Sequence, residues 1–480
     1  MWSIDKTINI PYYQQICEQI IQAIQSGELS PGDSLPPERT LATMYEVNRS
    51  TIVRALEELV SLGWITRRQG SGTQIAEGRW GSRQLSMHHW RHLLTNTSLK
   101  EDPYLTEIKK QQVQTDALDL YAGDLPDILI PDFEFPAITW EKVLKEEKKL
   151  TTTGYQPLKV WLLSHLATQL ALPIDNQDLL ITSGSTQGIS LLMQVLLEAG
   201  DAIGTEDPSF LFSIPLFSSL GIRLIGLKQD NEGILPHELE TAIQNKRIKL
   251  LYLNPTHQNP TGQTMSLTRR KQIIAICQKY QLPIIEDDVF SELAFGELLP
   301  SLKSLAPEQV IYVGSLSKLF GPSIKIGWLL APKKLITSLA NAKKSMDIET
   351  ALFPQWLATI ALSSPAYQQQ QTQLISELKQ RSEQFIQAMD SLKTDWTFKP
   401  ISGGLYYWLT WQHQTLTRKD WQIFLEENLL IAPAFLFSSD TMSVRINYTR
   451  IASADLELFK YKMSVITQRL RKDSSNERNN

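Results

Sequence analysis

From residue 116 onward the chain alternates between short apolar, β-rich runs and stretches of helical periodicity. The strand-like runs include Leu179-Leu180-Ile181, Ala202-Ile203-Gly204, Ile248-Lys249-Leu250-Leu251-Tyr252-Leu253, Leu282-Pro283-Ile284-Ile285 and Val310-Ile311-Tyr312-Val313, each followed by a polar cluster. This alternation leaves few architectures open, and the simplest is a mostly parallel sheet wrapped by helices. Sheets of that kind keep their ligands at the carboxyl ends of the strands. The polar clusters are therefore the places to look for chemistry.

The richest cluster follows Val310-Ile311-Tyr312-Val313 and runs from Gly314 to Trp328. It puts Lys318 in a loop at a strand's carboxyl end, with Ser315 and Ser317 before it and Lys325 after it. A reactive amine must be partly deprotonated, and neighbouring cations and burial are expected to lower its pKa. The set fits a lysine held in Schiff-base linkage beside a phosphate, as in an enzyme-bound pyridoxal phosphate.

Other clusters suit the same ligand. Thr182-Ser183-Gly184-Ser185-Thr186-Gln187-Gly188 opens a helix, where backbone N–H groups and hydroxyls bind phosphate, although such a start is often only a cap. Phe210, after Glu206-Asp207-Pro208-Ser209, could stack on a planar ring or simply fill the core. Two Asn-Pro turns after a buried strand would hold the Asn259 amide ready to donate. Asp287, in Glu286-Asp287-Asp288 at the end of an apolar strand, needs a partner if buried, and a protonated pyridine nitrogen is one. Arg445, in Val444-Arg445-Ile446, has a neutral setting suited to bidentate capture of a carboxylate, or else to a structural ion pair.

Together these segments resemble a fold-type-I aminotransferase across residues 116–470. The resemblance implies an α/β domain with a smaller C-terminal α+β subdomain and pyridoxal 5'-phosphate as cofactor. Lys318 is then the Schiff-base lysine, Asp287 partners the pyridine nitrogen, Asn259 bonds the ring oxygen and Phe210 stacks on the ring. Ser185, Thr186, Ser315 and Lys325 hold the phosphate, and Arg445 takes the carboxylate of an amino-acid ligand. Two features depart from the family pattern. Members usually carry a tyrosine two or three residues after the aspartate, where this chain has Val289 and Phe290. Lys325 replaces an arginine and loses its bidentate fork. The tyrosine that the family often lends from a partner subunit has only Tyr155 as a candidate.

Residues 1–76 have a different character. Tyr13, Ile16, Cys17, Ile20 and Ile24 recur at helical spacing after Pro11, and a turn-rich connector leads to a short helix over 38–45. A second helix is expected over about 48–62, with Asn48 as N-cap, Ile52, Ala55, Leu56 and Leu59 inward and Arg49, Ser50, Val53 and Arg54 outward. Residues 64–68 and 73–76 form a two-stranded wing around Gln69-Gly70-Ser71-Gly72. This is a winged helix-turn-helix, whose second helix enters the major groove of double-stranded DNA. The expected contacts are Arg39, Asn48, Arg49, Ser50, Thr51, Arg67, Arg68 and Gly70. Composition alone would not suggest it, since residues 1–76 hold six Lys/Arg against eight Asp/Glu and the whole chain carries a net charge of −4. The segment resembles a GntR-type winged helix through Leu35-Pro36-Pro37-Glu38-Arg39, Val47-Asn48-Arg49-Ser50-Thr51 and Gly70-Ser71-Gly72-Thr73.

The chain is thus read as multidomain: residues 1–76 for DNA, a linker over 77–115, the aminotransferase-like domain over 116–470 and a frayed polar tail over 471–480. His88, His89 and His92 lie in the linker without a carboxylate or cysteine to complete a metal set. Only Cys17 and Cys277 occur, and no apolar run is long enough to cross a bilayer, which points to the cytoplasm. An N-terminal GntR-type reader joined to an aminotransferase-like domain resembles the MocR-type transcriptional regulators. The resemblance implies a head-to-tail homodimer that senses pyridoxal phosphate, an amino acid or an amine. The competing expectation is a working aminotransferase with an appended DNA-binding domain.

Overall fold

The computed structural model describes residues 4, 10–25, 28–29, 32–61, 64–68, 72–76, 102–113, 117–173 and 176–476. The histidine-bearing part of the linker, Gly70 and the Arg68 side chain lie outside the described set.

The N-terminal module contains α1 (Tyr12–Gln25), α2 (Glu38–Met44), α3 (Arg49–Ser61) and a hairpin of β1 (Ile65–Arg68) and β2 (Gly72–Ile75). Its core forms where three apolar stripes meet: Ile16, Ile20 and Ile24 of α1, Leu41 of α2, and Ile52, Ala55, Leu56 and Leu59 of α3. The antiparallel register pairs Ile65 with Ile75, and both are buried in that core. After α2, Glu46 takes a left-handed φ of 53° and the Val47 N–H returns to the Ala42 carbonyl at 3.0 Å. That turn caps α2 and sets the direction of α3.

In the large domain, β3 (Leu118–Asp119) is followed by a small hairpin of β4 (Leu150–Thr151) and β5 (Gly154–Tyr155). The main sheet uses β6 (Gln177–Thr182), β7 (Ala202–Asp207), β8 (Arg223–Asp230), β9 (Gly233–Ile234), β10 (Ile248–Leu253), β11 (Ile284–Asp287), β12 (Val310–Ser315) and β13 (Gly327–Pro332). Their order across the sheet is β6-β13-β12-β11-β10-β7-β8-β9. Strands β10, β11 and β12 are parallel neighbours, so their carboxyl ends share one edge. Every residue of β11 and β12 is buried, as expected of strands covered on both faces. The sheet is mixed: β13 runs antiparallel to both β12 and β6, and β9 runs antiparallel to β8.

The C-terminal subdomain has a sheet ordered β14-β15-β18-β17, formed by β14 (Trp396–Thr397), β15 (Tyr406–Trp411), β17 (Ala432–Pro433) and β18 (Ser443–Asn447). Beside it, β16 (Leu429–Leu430) pairs in parallel with β3, which ties the start of the large domain to its end. The core there is aromatic, including Phe385, Trp396, Tyr407, Trp411, Trp421 and Phe459. The last helix, Leu456–Asn476, runs past the boundary expected at residue 470. Phe459, Met463, Ile466 and Leu470 bury one face of it, and Arg471 adds an ion pair to Asp395 at 2.5 Å, so the expected frayed tail does not begin at 471. Among the described residues no helix is long and apolar enough to cross a membrane.

Candidate functional site

The carboxyl ends of β10, β11 and β12 deliver Asn254, Asp287 and Ser315 to one edge of the sheet, with Asn259 and Lys318 on the loops just beyond. Asp287 is buried and its Oδ2 accepts a hydrogen bond from the Tyr252 hydroxyl. Its Oδ1 is also buried and has no donor. Burial pushes this carboxyl up to about 6, against the opposing hydrogen bond from Tyr252. Asp287 thus holds one oxygen in place and offers the other to whatever enters.

Lys318 lies in the short helix Ser317–Phe320. Its half-buried Nζ donates to the Gly123 carbonyl at 2.8 Å and to Asp124 Oδ1 at 2.7 Å. The expectation of a lowered pKa does not hold. Burial pulls the amine down, but Tyr406 and Asp124 outweigh it and the pKa rises above the ordinary lysine value. The cation expected to help, Lys325, is itself exposed.

Arg445 is buried between the rings of Tyr406 and Phe437, 4.4 and 5.0 Å from their centroids. Nη1 donates to Asn259 Oδ1 at 3.0 Å and Nη2 to the Tyr121 carbonyl at 2.6 Å, while Nε is buried without an acceptor. Among the described residues no carboxylate forms an ion pair with it, so its fork is held by neutral oxygens only. The same bond orients Asn259, whose Oδ1 is taken and whose Nδ2 is left to donate. Phe210 is tied to this group through its own N–H, which donates to the Asn259 carbonyl at 3.1 Å.

Ser315, Gly327 and Thr182 lie side by side across β12, β13 and β6. The helix that begins at Ser185 starts just beyond Thr182, and the exposed Lys325 lies two residues before Gly327 in the chain. A Cβ on Gly327 would stand 2.5 Å from the Ser185 nitrogen, so only glycine lets the strand approach the helix start this closely. Ser185 is half-buried and Thr186 exposed in the first turn. Ser315 is occupied inside the loop, donating to the Ile326 carbonyl and accepting from the Ser317 N–H, both at 3.2 Å. Tyr155 is buried and donates its hydroxyl to Glu146 of its own chain.

Several groups in the pocket were not singled out from the sequence. Side chains grip four successive carbonyls after β3. Arg445 holds Tyr121, Asn447 holds Ala122 at 2.7 Å and Asp124 at 3.0 Å, and Lys318 and Tyr406 both hold Gly123. Gly123-Asp124-Leu125-Pro126 reads as an ordinary turn, which hides this strap. Glu206 lies behind Asp287, accepts the Asn254 N–H at 2.8 Å, and is pushed by burial to about 8.

In the N-terminal module, Asn48, Arg49, Ser50 and Arg39 are exposed and Thr51 is half-buried at the start of α3. Arg49 and Arg67 are not free cations. Glu38 Oε2 accepts from Arg49 Nε at 2.9 Å and Nη2 at 2.8 Å, and Oε1 pairs with Arg67 Nη2 at 2.7 Å. One carboxylate therefore links the reading helix to the wing.

Residues 131–459 match the family model for aminotransferase class I and II, and residues 12–75 match that for bacterial regulatory proteins of the gntR family. The chain is 30% identical to YdfD of Bacillus subtilis, an uncharacterized HTH-type transcriptional regulator, over 97% of this chain and 98% of that protein. It is 25% identical to the HTH-type transcriptional regulator NorG of Staphylococcus aureus over 89% of this chain and 98% of that one. The multiple substrate aminotransferase of Thermococcus profundus has the same fold, with a TM-score of 0.70 at 24% identity over 78% of this chain and 97% of that one. A DNA reader in front of a transaminase scaffold, matched end to end by named regulators, places the chain in the MocR-type transcriptional regulators of the GntR superfamily.

Proposed function

We propose that this regulator binds pyridoxal 5'-phosphate at Lys318 and reports the presence of an amino acid or amine to its DNA reader. The observation that carries the proposal is the unpartnered, buried Oδ1 of Asp287 beside the Lys318 amine. A dry carboxylate oxygen without a donor calls for a cationic N–H from a ligand, and a protonated pyridine nitrogen supplies one. Bound there, the cofactor contributes an aldehyde that combines reversibly with primary amines and a ring that withdraws electrons.

The chain's own residues then divide the labour. Asp287 keeps the proton on the ring nitrogen, and Asn259 Nδ2 donates to the ring oxygen. Phe210 covers one face. The helix start at Ser185 and Thr186, with Ser315 and Lys325, holds the phosphate. Arg445, with Nε still unsatisfied, takes the effector's carboxylate. Arg39, Asn48, Arg49, Ser50, Thr51, Arg67, Arg68 and Gly70 face DNA. The protein acts in the cytoplasm as a head-to-tail homodimer, and effector binding shifts DNA affinity through its differing affinity for two conformations.

The test is an absorbance titration with pyridoxal phosphate, alongside DNA binding to the protein's own upstream region, for wild type and Lys318→Ala. The expected result is a visible band in wild type only, with DNA affinity responsive to cofactor and to a panel of amino acids only in wild type. An unmodified Lys318 after borohydride reduction would sink the proposal. A second reading, residual transaminase turnover, is favoured by Lys318, Asp287, Asn259 and Arg445 all standing in one pocket. Sustained keto-acid release at ordinary enzymatic rates would establish it.

A further inference from the structure

We infer that Tyr406 is the positioning residue of the ligand-binding lysine, supplying the hydroxyl that Phe290 lacks. The inference rests on the cofactor reading above and deepens it. Phe290 is buried, and its ring meets the Tyr406 ring edge-on at 5.6 Å. The Lys318 nitrogen stands 5.9 Å over the Phe290 face, which has no proton to give or accept. The Tyr406 hydroxyl does: it donates to the Gly123 carbonyl at 2.7 Å, and Lys318 Nζ donates to the same oxygen at 2.8 Å. The two donors therefore stand no farther apart than those bonds laid end to end, 5.5 Å.

The position is fixed from three sides. Glycine at 123 leaves room for the phenol, since a Cβ there would come within 3.3 Å of its oxygen. The Arg445 guanidinium lies over the Tyr406 ring, and Arg445 is itself anchored on Asn259. Tyr406 sits on β15 opposite Asn447 of β18, whose amide holds the carbonyls on either side of Gly123. The charged and titratable groups facing Lys318 are Asp124, Tyr406, Arg445 and, from β11, Asp287. An amine bonded covalently to a ligand carbon through a C=N bond would keep at most one proton, so it could no longer hold both Gly123 and Asp124. The Tyr406 hydroxyl takes no part in that bond, so Tyr406 is the donor that continues to fix the carbonyl next to the lysine nitrogen.

The test uses full-length protein loaded with pyridoxal phosphate, titrating the visible band from acid to alkaline pH. Wild type is compared with Tyr406→Phe and with the double variant Tyr406→Phe/Phe290→Tyr, which returns one hydroxyl from the opposite ring. Tyr406→Phe keeps the buried ring and should shift the midpoint by about one pH unit, since it removes the hydroxyl that shares the Gly123 carbonyl with the nitrogen. The double variant should move the midpoint back toward wild type, a recovery that a purely structural role would not give. If Tyr406→Phe loses the band altogether, its return in the double variant supports the inference and its continued absence overturns it. Identical titrations for wild type and Tyr406→Phe overturn the inference alone, whereas a colourless wild type overturns the cofactor reading along with it.

Discussion

Tyr252 and Asp287, on neighbouring parallel strands, share a hydrogen bond in which the phenol donates to Oδ2 and leaves Oδ1 facing the pocket. The bond acts against burial, which raises the carboxyl to about 6. In Tyr252→Phe that restraint is gone and the carboxyl pKa rises further. Less of it is ionised at pH 7, and the charge offered to a ring nitrogen falls. Cofactor affinity should drop about tenfold at pH 7 and recover at higher pH. Titrations at several pH values check this, and an equal loss at every pH would contradict it.

Asp124 works in the other direction on Lys318. With its carboxylate at 2.7 Å it helps hold the amine protonated, and a protonated amine cannot attack an aldehyde. Asp124→Asn leaves burial to pull the pKa down, so the neutral fraction at pH 7 increases. Stopped-flow capture of pyridoxal phosphate should be several-fold faster than in wild type at pH 7, with the gap closing in alkaline solution. A slower variant would show that Asp124 orients the amine instead of restraining it.

Glu206 is a stability element with a definite pH signature. Burial raises it from 4.5 to about 8, so the folded chain keeps a proton that the unfolded chain releases. The stability it contributes is full below pH 4.5 and is lost as pH rises through 8. Glu206→Gln retains an oxygen for the Asn254 N–H but does not ionise. The variant should lose less stability than wild type between pH 5 and pH 8, by on the order of a few kcal/mol. Thermal melts of the cofactor-free protein across that range decide it.

Glu38 gives a prediction that opposes simple charge counting. Removing a carboxylate from a DNA-facing surface should tighten binding if net charge rules. Because Glu38 holds both Arg49 and Arg67, Glu38→Gln should instead weaken binding to a selected operator duplex about tenfold and narrow the margin over unrelated DNA. The melting temperature should barely move, since exposed ion pairs add little to stability. Fluorescence anisotropy with both duplexes checks this, and tighter operator binding would refute it.

The sequence displayed the parts of this pocket that follow apolar strands. Asn259, Asp287 and Lys318 each stand where a buried run breaks into polar residues, and Arg445 interrupts an apolar run of its own. The α3 core positions were legible for a related reason, since Ile52, Ala55, Leu56 and Leu59 repeat at helical spacing and are the buried ones. What could not be read are relations between distant segments. Asp124 reaches Lys318 across 194 residues, and no local pattern marks either as the other's partner. The raised basicity of Lys318 follows from that contact and from Tyr406, so reasoning from Lys325 and burial gave the wrong direction. The reversed course of β13 was hidden because an apolar strand reads the same either way. Tyr252 lies in a strand buried at nearly every position, so alternation could not reveal which side chain meets Asp287.

The grip on residues 121–124 falls mostly on main-chain oxygens, so it depends little on the side chains there except at Gly123, where a Cβ would crowd the Tyr406 hydroxyl, and at Asp124. The peptide so gripped continues backward through β3 and the helix Pro103–Gln111 into the stretch that leads to the DNA-reading module. A small molecule that claims the Lys318 proton slackens one clasp on that thread at its anchored end. In the proposed function, occupancy of the pocket therefore acts on the same covalent thread that leads to the DNA-reading module.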